Sequence, residues 1–330
     1  MLPALVLAAA LASPAPQSAP APAARLGALR ARYDVLWGEV NRPHILAPAV
    51  RNASIERVAV ALRTLDALAA DPDPEVTADL ERRAELDERL VPALLNGTPP
   101  ALDAAPGAHA GIAPAGDHDE AFAYWVPRGY DAHKPGPLVV LFHGATQPES
   151  DLIARAFVRE LADRSGAVVL APGGDDTDGE AMTRSLSAAE RALEQHIAYD
   201  RRRRYLGGFS NGVFGAFHAV ATQHEPCAGF LGISGVLLGS DVRGVGVHLG
   251  GRGAYMIAGA NDEIIPAAVV RSVVRVLRAQ GVFARYYEVA GAPHALRPLY
   301  PTIAKAWNDM LAGVTQIPND GLGAITDRIF

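Results

Sequence analysis

From residue 121 onward, short apolar runs alternate with longer stretches that have apolar residues at helical spacing. The short runs predict strands at residues 121–126, 138–142, 167–171, 203–207, 229–233, 254–258 and 284–289. The longer stretches predict helices at residues 150–165, 187–198, 213–222, 266–280 and 296–311. Alternating strands and helices are typical of a mostly parallel sheet covered by helices on both faces. The pattern therefore predicts a doubly wound α/β domain over residues 118–330.

The N-terminal third has a helical pattern without strands. Three segments, of which the first is amphipathic, predict helices at residues 25–40, 54–70 and 74–96. Asp73 and Pro74 suit the start of the third helix, as N-cap and as first helical residue. We expect these helices to form a small subdomain over residues 25–98. A stretch rich in Pro, Ala and Gly at residues 99–117 predicts a linker to the α/β domain.

Residues 1–24 have the pattern of an export signal. A short apolar run ends in Ala10-Leu11-Ala12 and is followed by a Pro- and Ala-rich stretch. This resembles a secretory signal peptide with a small-residue cleavage site, although no Lys or Arg precedes the apolar run. The alternative is a Pro/Ala-rich leader with no targeting role. The run is too short to span a bilayer, and no other segment predicts a membrane span. We expect a secreted or periplasmic protein.

Composition excludes several classes of function. The 330 residues carry a net charge of −6, so there is no basic surface of the kind that nucleic-acid binding needs. The single cysteine, Cys227, excludes an intrachain disulfide and a cysteine-rich zinc site. An acidic loop at residues 175–178 follows a predicted strand, but the rest of a calcium-loop pattern is missing. The sequence therefore predicts no metal and no cofactor.

The most informative motif is Gly208-Phe209-Ser210-Asn211-Gly212, which lies between a predicted strand and a predicted helix. A serine at such a sharp turn is held in strained backbone geometry, with its hydroxyl above the edge of the sheet. The flanking glycines are needed because the strand and helix backbones approach too closely for a Cβ atom. The motif alone is common, so its interpretation depends on partner residues elsewhere in the chain.

Candidate partners follow in the order Ser, Asp, His. Asp262 comes after the predicted strand at 254–258, and His294 follows the strand at 284–289. A serine hydroxyl becomes a nucleophile when a neutral imidazole takes its proton, and a carboxylate orients that imidazole. We therefore predict a catalytic triad of Ser210, Asp262 and His294. Glu263 is an alternative acid, and either carboxylate could instead serve the start of the following helix.

A fourth segment supplies candidate oxyanion donors. The predicted strand at 137–142 ends in His143-Gly144-Ala145-Thr146. Acyl transfer develops negative charge on a carbonyl oxygen, and backbone N–H groups aimed at that oxygen stabilise it. We predict the N–H groups of Asn211 and Ala145 as donors. All four segments follow strands, and ligands of such sheets bind at the carboxyl ends of the strands.

Together these motifs resemble the α/β-hydrolases, and within them the chain is similar to secreted esterases grouped with polyhydroxybutyrate depolymerases and feruloyl esterases. The resemblance covers residues 121–312 and rests on the segments 125–130, 134–144, 208–212, 259–262 and 293–294. It implies hydrolysis of a small-molecule or polymeric ester through an acyl-enzyme, without a cofactor. Ala145 departs from the pattern, since these esterases often have Cys or Gly there. The departure leaves open which N–H completes the oxyanion hole.

Two other functions fit the same motifs. A serine peptidase resembling the prolyl-oligopeptidase catalytic domain would use the same triad, although that family normally has a large propeller before the hydrolase domain. A non-catalytic binding protein could retain the fold without activity. The glycine-rich segment at residues 235–253 is either a lid over the site or a long connection.

Overall fold

The computed structural model describes residues 22–43, 48–174, 178–223 and 225–323. Of the predicted leader, only residues 22–24 are among them, and they begin the first helix. Residues 175–177 of the acidic loop also lie outside the described residues. Within the described ranges, no helix is long and apolar enough to cross a membrane.

An eight-stranded sheet forms the centre of the molecule, with the strand order β1-β2-β4-β3-β5-β6-β7-β8. Strands β3 to β8 are parallel to one another, whereas β2 pairs antiparallel with both β4 and β1 at one edge. This confirms the predicted mostly parallel sheet. The strands are β1 (Gly107–Pro114), β2 (Asp119–Val126), β3 (Pro137–Phe142), β4 (Val168–Pro172), β5 (Asp200–Phe209), β6 (Gly229–Ile233), β7 (Gly253–Gly259) and β8 (Phe283–Val289).

Helices cover both faces of this sheet. Alternate residues of β3 pack into different cores, with Val139 and Leu141 on one face and Val140 and Phe142 on the other. Because both faces are buried, the strand reads as one continuous apolar run. The helices are α1 (Pro22–Val40), α2 (Pro48–Ala70), α3 (Pro74–Asn96), α4 (Glu149–Ala154), α5 (Ala156–Ser165), α6 (Gly179–Glu194), α7 (Asn211–Thr222), α8 (Val242–Leu249), α9 (Ala267–Ala279) and α10 (Tyr300–Leu311).

Helices α1, α2 and α3 pack around a core of their own, which includes Tyr33, Val58 and Leu65. Helix α3 starts as predicted: the Asp73 side chain accepts hydrogen bonds from the N–H groups of Glu75 and Val76. The opposite side of α3 contributes residues such as Leu90 to the core under the sheet. The N-terminal helices are therefore packed directly against the α/β domain.

Strand β1 was not predicted, because it lies inside the range 99–117 for which we expected a linker. Its composition of Gly, Ala and Pro has little strand propensity, and pairing with β2 overrides that. Gly111 lies opposite Phe122 in this pairing. A Cβ atom on Gly111 would come within 2.3 Å of the Phe122 ring, so the glycine makes room for the aromatic side chain.

Two further segments have helical residues that the sequence pattern did not predict. Helix α6 begins at Gly179 with Asp178 as its N-cap, eight residues before the predicted start at residue 187. The first two turns of α6 were not predicted because glycine has a low helix propensity. Gly179 nevertheless lies in the helix, and there it packs against His218. The glycine-rich range 235–253 contains α8, whose Val245 and Leu249 are fully buried.

Candidate active site

Ser210 occupies the turn between β5 and α7, at the carboxyl end of the sheet. Its backbone has φ 54° and ψ −121°, outside the conformations that residues other than glycine normally adopt. A Cβ atom on Gly208 would lie 2.4 Å from the backbone of Gly212, and one on Gly212 would lie 2.3 Å from the carbonyl oxygen of Phe142. Both flanking glycines are therefore required by close backbone approach, as the motif predicted.

The structure brings the three predicted triad residues together. His294 Nε2 lies 2.9 Å from Ser210 Oγ, and His294 Nδ1 lies 2.8 Å from Asp262 Oδ2. Asp262 follows β7 and His294 follows β8, and these two loops are joined by a 2.9 Å hydrogen bond from Asn261 N–H to the carbonyl of Ala292. The Phe209 ring packs against the imidazole at 5.0 Å between centroids.

Asp262 is held as a carboxylate by its surroundings. Its Oδ1 accepts hydrogen bonds from the N–H groups of Ile264 at 3.0 Å and Ile265 at 2.7 Å. Burial alone would raise the pKa of this carboxyl, but the Ile265 N–H and His294 outweigh burial and lower it. The alternative acid, Glu263, has an exposed side chain. Asp262 therefore both binds His294 and closes the turn that precedes α9.

The loop after β3 leaves one of the predicted oxyanion donors free. The Gly144 N–H donates to Gln147 Oε1 at 3.2 Å, and the Gln147 N–H donates back to the Gly144 carbonyl at 3.1 Å. No acceptor in the described part of the chain takes the N–H of Ala145 or of Asn211. Since Gly144 is occupied, Ala145 is the better candidate in this loop for an oxyanion donor.

Backbone strain concentrates around these loops. Among the described residues, three that are not glycine have positive φ: Thr146, Ser210 and Ser234. They follow strands β3, β5 and β6 at the same edge of the sheet. The Ser234 hydroxyl is fully buried, and its oxygen has no hydrogen-bond partner among the described residues. Strain of this kind clusters at active sites, where the surrounding structure enforces it.

Sequence reasoning did not single out Gln147, Ser234 or Phe209. Ser234 had a usable signal, because it directly follows a predicted strand as the other site residues do. Gln147 lies three residues after Gly144, the spacing of a tight turn. Phe209 belongs to the nucleophile motif, but only the structure shows its packing against the imidazole. The described residues contain no cluster of His, Cys, Asp and Glu that could hold a metal ion.

Comparison with known proteins shows the fold. No family model matches the sequence, and no curated protein matches it. A solved thermostable esterase is 19% identical, with a TM-score of 0.51 over 61% of this chain and 60% of that one. A ferulic acid esterase from the anaerobic fungus Anaeromyces mucronatus is 15% identical, with a TM-score of 0.51 over 63% of this chain and 90% of that one.

A putative dipeptidyl aminopeptidase IV from Bacteroides ovatus is 13% identical, with a TM-score of 0.52 over 62% of this chain and 36% of that one. The chain thus matches less than two thirds of the length of the thermostable esterase and of this protein. These likenesses and the sheet order define an α/β-hydrolase fold, which confirms the predicted resemblance at the level of the fold. One fold hosts many activities, so function must be argued from the site.

Proposed function

We propose that this protein is a serine hydrolase that cleaves carboxylic esters through an acyl-enzyme intermediate. One observation carries the proposal: an unbroken path of hydrogen bonds runs from Ser210 Oγ through both nitrogens of His294 to Asp262. A serine hydroxyl on a strained turn, a histidine within reach and a buried carboxylate behind it are the parts that acyl transfer requires.

In the proposed reaction, Ser210 Oγ attacks the acyl carbon while His294 Nε2 takes the hydroxyl proton. Asp262 keeps the imidazole in the tautomer that leaves Nε2 free to accept, and its negative charge stabilises the imidazolium that forms. The N–H groups of Asn211 and Ala145 hold the oxyanion. His294 then protonates the departing alcohol. A water molecule, deprotonated by His294, attacks the acyl carbon, and His294 returns the proton to Ser210 Oγ as the bond to the acyl group breaks and the acid leaves.

Substrate choice and export are part of the same proposal. We favour an ester, small or polymeric, because the resemblance of motifs is to secreted esterases. A peptide substrate is the competing possibility, since the same residues would serve it.

We also propose that residues 1–24 direct export. Mass spectrometry of the protein recovered from the periplasm or the medium tests this, and a chain that retains Met1 in the cytoplasm would contradict it.

The test compares wild type with Ser210→Ala on p-nitrophenyl esters of increasing acyl length, feruloyl esters, polyester granules and blocked peptide p-nitroanilides. We expect ester hydrolysis by wild type and a kcat at least about 10⁴-fold lower in Ser210→Ala. A fluorophosphonate probe should label wild type and not the variant. Preference for the peptides would favour the peptidase. No labelling and equally slow hydrolysis by both proteins would favour a non-catalytic protein.

A further inference from the structure

The loop that carries Ala145 leads directly into α4, whose first two residues are buried. Glu149 is 2% exposed and Ser150 is fully buried. Only six residues, 143–148, separate the end of β3 from Glu149. We therefore expect a displacement of the first turn of α4 to move the Ala145 N–H, four residues before Glu149. What holds Glu149 and Ser150 consequently sets the position of this candidate oxyanion donor.

Glu149 is held by an arginine from the N-terminal helices. Arg57 of α2 binds it with two hydrogen bonds, from Nη1 to Oε1 at 2.7 Å and from Nη2 to Oε2 at 2.9 Å. Arg57 is 5% exposed, and its Nη1 also lies 3.2 Å from Ser150 Oγ. Two parallel hydrogen bonds between planar groups fix direction as well as distance. Burial would raise the pKa of Glu149, but Arg57 outweighs it and lowers the pKa.

Ser150 is held by a second carboxylate from the same helices. Its hydroxyl donates to Asp87 Oδ1 at 2.7 Å. Asp87 Oδ2 in turn accepts from Arg83 Nε and from the Tyr33 hydroxyl, both at 3.1 Å. Arg83, Asp87 and Tyr33 are essentially fully buried. Helices α1, α2 and α3 each contribute one or more residues to this network. Because these residues are buried, water does not compete for their hydrogen bonds.

We propose that helices α1 to α3 act in cis as a positioning element for the oxyanion loop, with Arg57 as the principal positioning residue. This inference rests on the proposed function, because it assigns a role to a loop of that site. Arg57 touches neither Ser210 nor the reacting atoms. It acts through Glu149, which fixes where the loop leaves β3 and enters α4. Misplacement of a catalytic group by about 1 Å lowers rates by as much as about 100-fold.

A second contact between the same helices and the site provides an internal comparison. Arg297, three residues after His294, pairs with Asp73 and with Glu75, the latter at 2.6 Å. The Arg297 side chain is 52% exposed, so this contact is screened by water. The buried Arg57 pair should therefore matter far more to the geometry of the site than the exposed Arg297 pair.

The experiment compares full-length wild type with Arg57→Met, Arg57→Lys and the double variant Arg57→Met/Glu149→Met. The double variant removes both buried charges and keeps apolar volume, so it can fold where Arg57→Met leaves an unpaired carboxylate. Arg63→Met is the matched control, since Arg63 lies on the same helix with 60% of its side chain exposed. Thermal unfolding selects the variants that fold.

In the folded variants we expect kcat on a p-nitrophenyl ester to fall about 10- to 100-fold, with KM within about 3-fold of wild type. Affinity for a phenylboronic acid, which forms a tetrahedral adduct with the serine, should fall by the same factor as kcat. Arg57→Lys keeps the charge but loses the paired geometry, so its kcat should be intermediate. Arg63→Met should match wild type.

The rate of amide hydrogen exchange at residues 143–150 measures how well the loop is ordered, and it needs no substrate. Exchange there should be faster in the double variant and unchanged in Arg63→Met. If the double variant has the same kcat, boronate affinity and loop exchange as wild type, the positioning role is wrong. Ester hydrolysis by wild type would in that case still support the proposed function. Conversely, the protein could hydrolyse no ester while the double variant still shows faster exchange of the loop. That result would contradict the proposed function and leave the positioning of the loop by Arg57 in place.

Discussion

Asp262 and His294 are joined by a 2.8 Å hydrogen bond from Nδ1 to Oδ2, and the other carboxylate oxygen is taken by the N–H groups of Ile264 and Ile265. The carboxylate is thus fixed from both sides. It can orient the imidazole without turning away from it. The neighbouring Glu263 has no comparable position, because its side chain is exposed.

This relationship predicts which acid supports activity. Asp262→Asn should lower kcat by about 10⁴-fold, because an amide at this position favours the wrong imidazole tautomer. Glu263→Gln, the adjacent control with the same change of charge, should stay within about 2-fold of wild type. Steady-state hydrolysis of a p-nitrophenyl ester measures both. A larger loss in Glu263→Gln would assign the role to Glu263.

At the turn around Ser210, the backbone approaches so closely that one added methyl group should destabilise the protein. A Cβ atom on Gly212 would lie 2.3 Å from the Phe142 carbonyl oxygen and 2.5 Å from that of His143. Gly212→Ala should lower the free energy of unfolding by about 1–3 kcal/mol and reduce kcat, since Asn211 and the oxyanion loop must move apart.

Gly38→Ala is the matched control for that substitution. Gly38 lies in α1 and an added Cβ would meet no atom within 4 Å. Its stability should be unchanged or higher by up to about 1 kcal/mol, because alanine favours a helix more than glycine does. Urea unfolding and ester hydrolysis measure both proteins, and equal values for the two variants would contradict the close-packed turn.

The buried pair of Glu149 and Arg57 predicts a dependence of stability on pH. The pKa of Glu149 is lower in the folded protein than its usual value of 4.5, because Arg57 outweighs the effect of burial. Its ionised form therefore stabilises the folded protein above about pH 4.5, and this contribution is lost as the pH falls through the lowered folded pKa. Glu149→Gln should cost about 3 kcal/mol at pH 7, because Arg57 loses its paired hydrogen bonds and keeps the longer 3.4 Å contact with Asp87.

The difference in unfolding free energy between wild type and Glu149→Gln should accordingly narrow as the pH is lowered from 7 to 3. Urea unfolding at several pH values measures it. Glu160→Gln on α5 provides the control, because the Glu160 side chain is 67% exposed and its removal should change stability by less than about 0.5 kcal/mol. A difference that stays constant across this pH range would rule out a stabilising carboxylate at residue 149.

Much of the site was predictable because its residues lie where strands end. Ser210, Asp262 and His294 each follow an apolar run, and parallel strands bring their carboxyl ends to one edge. The strand pattern does not specify which backbone N–H groups of the loop after β3 already donate hydrogen bonds within the protein. That Gln147 takes the N–H of Gly144 and leaves Ala145 free depends on a loop conformation, which hydrophobic periodicity cannot specify.

The network around Arg57 could not be predicted from the sequence either. Arg57 and Glu149 are 92 residues apart, and each looks like an ordinary charged residue of an exposed helix face. Their burial follows from the docking of α2 and α3 onto α4, a tertiary event. Strand β1 was missed for a similar reason: its Gly111 is explained by the Phe122 ring that it accommodates on the paired strand, and not by local propensity.

Thr146, Ser210 and Ser234 hold left-handed backbone at the three strand ends around the site. Residues that are not glycine adopt such conformations at a cost of about 1–3 kcal/mol each. The rest of the fold must offset that cost, so the proposed activity depends on the extensive burial beneath the sheet. A selection for thermal stability alone would favour glycine at these positions, and at Ser210 such a change would remove the proposed nucleophile.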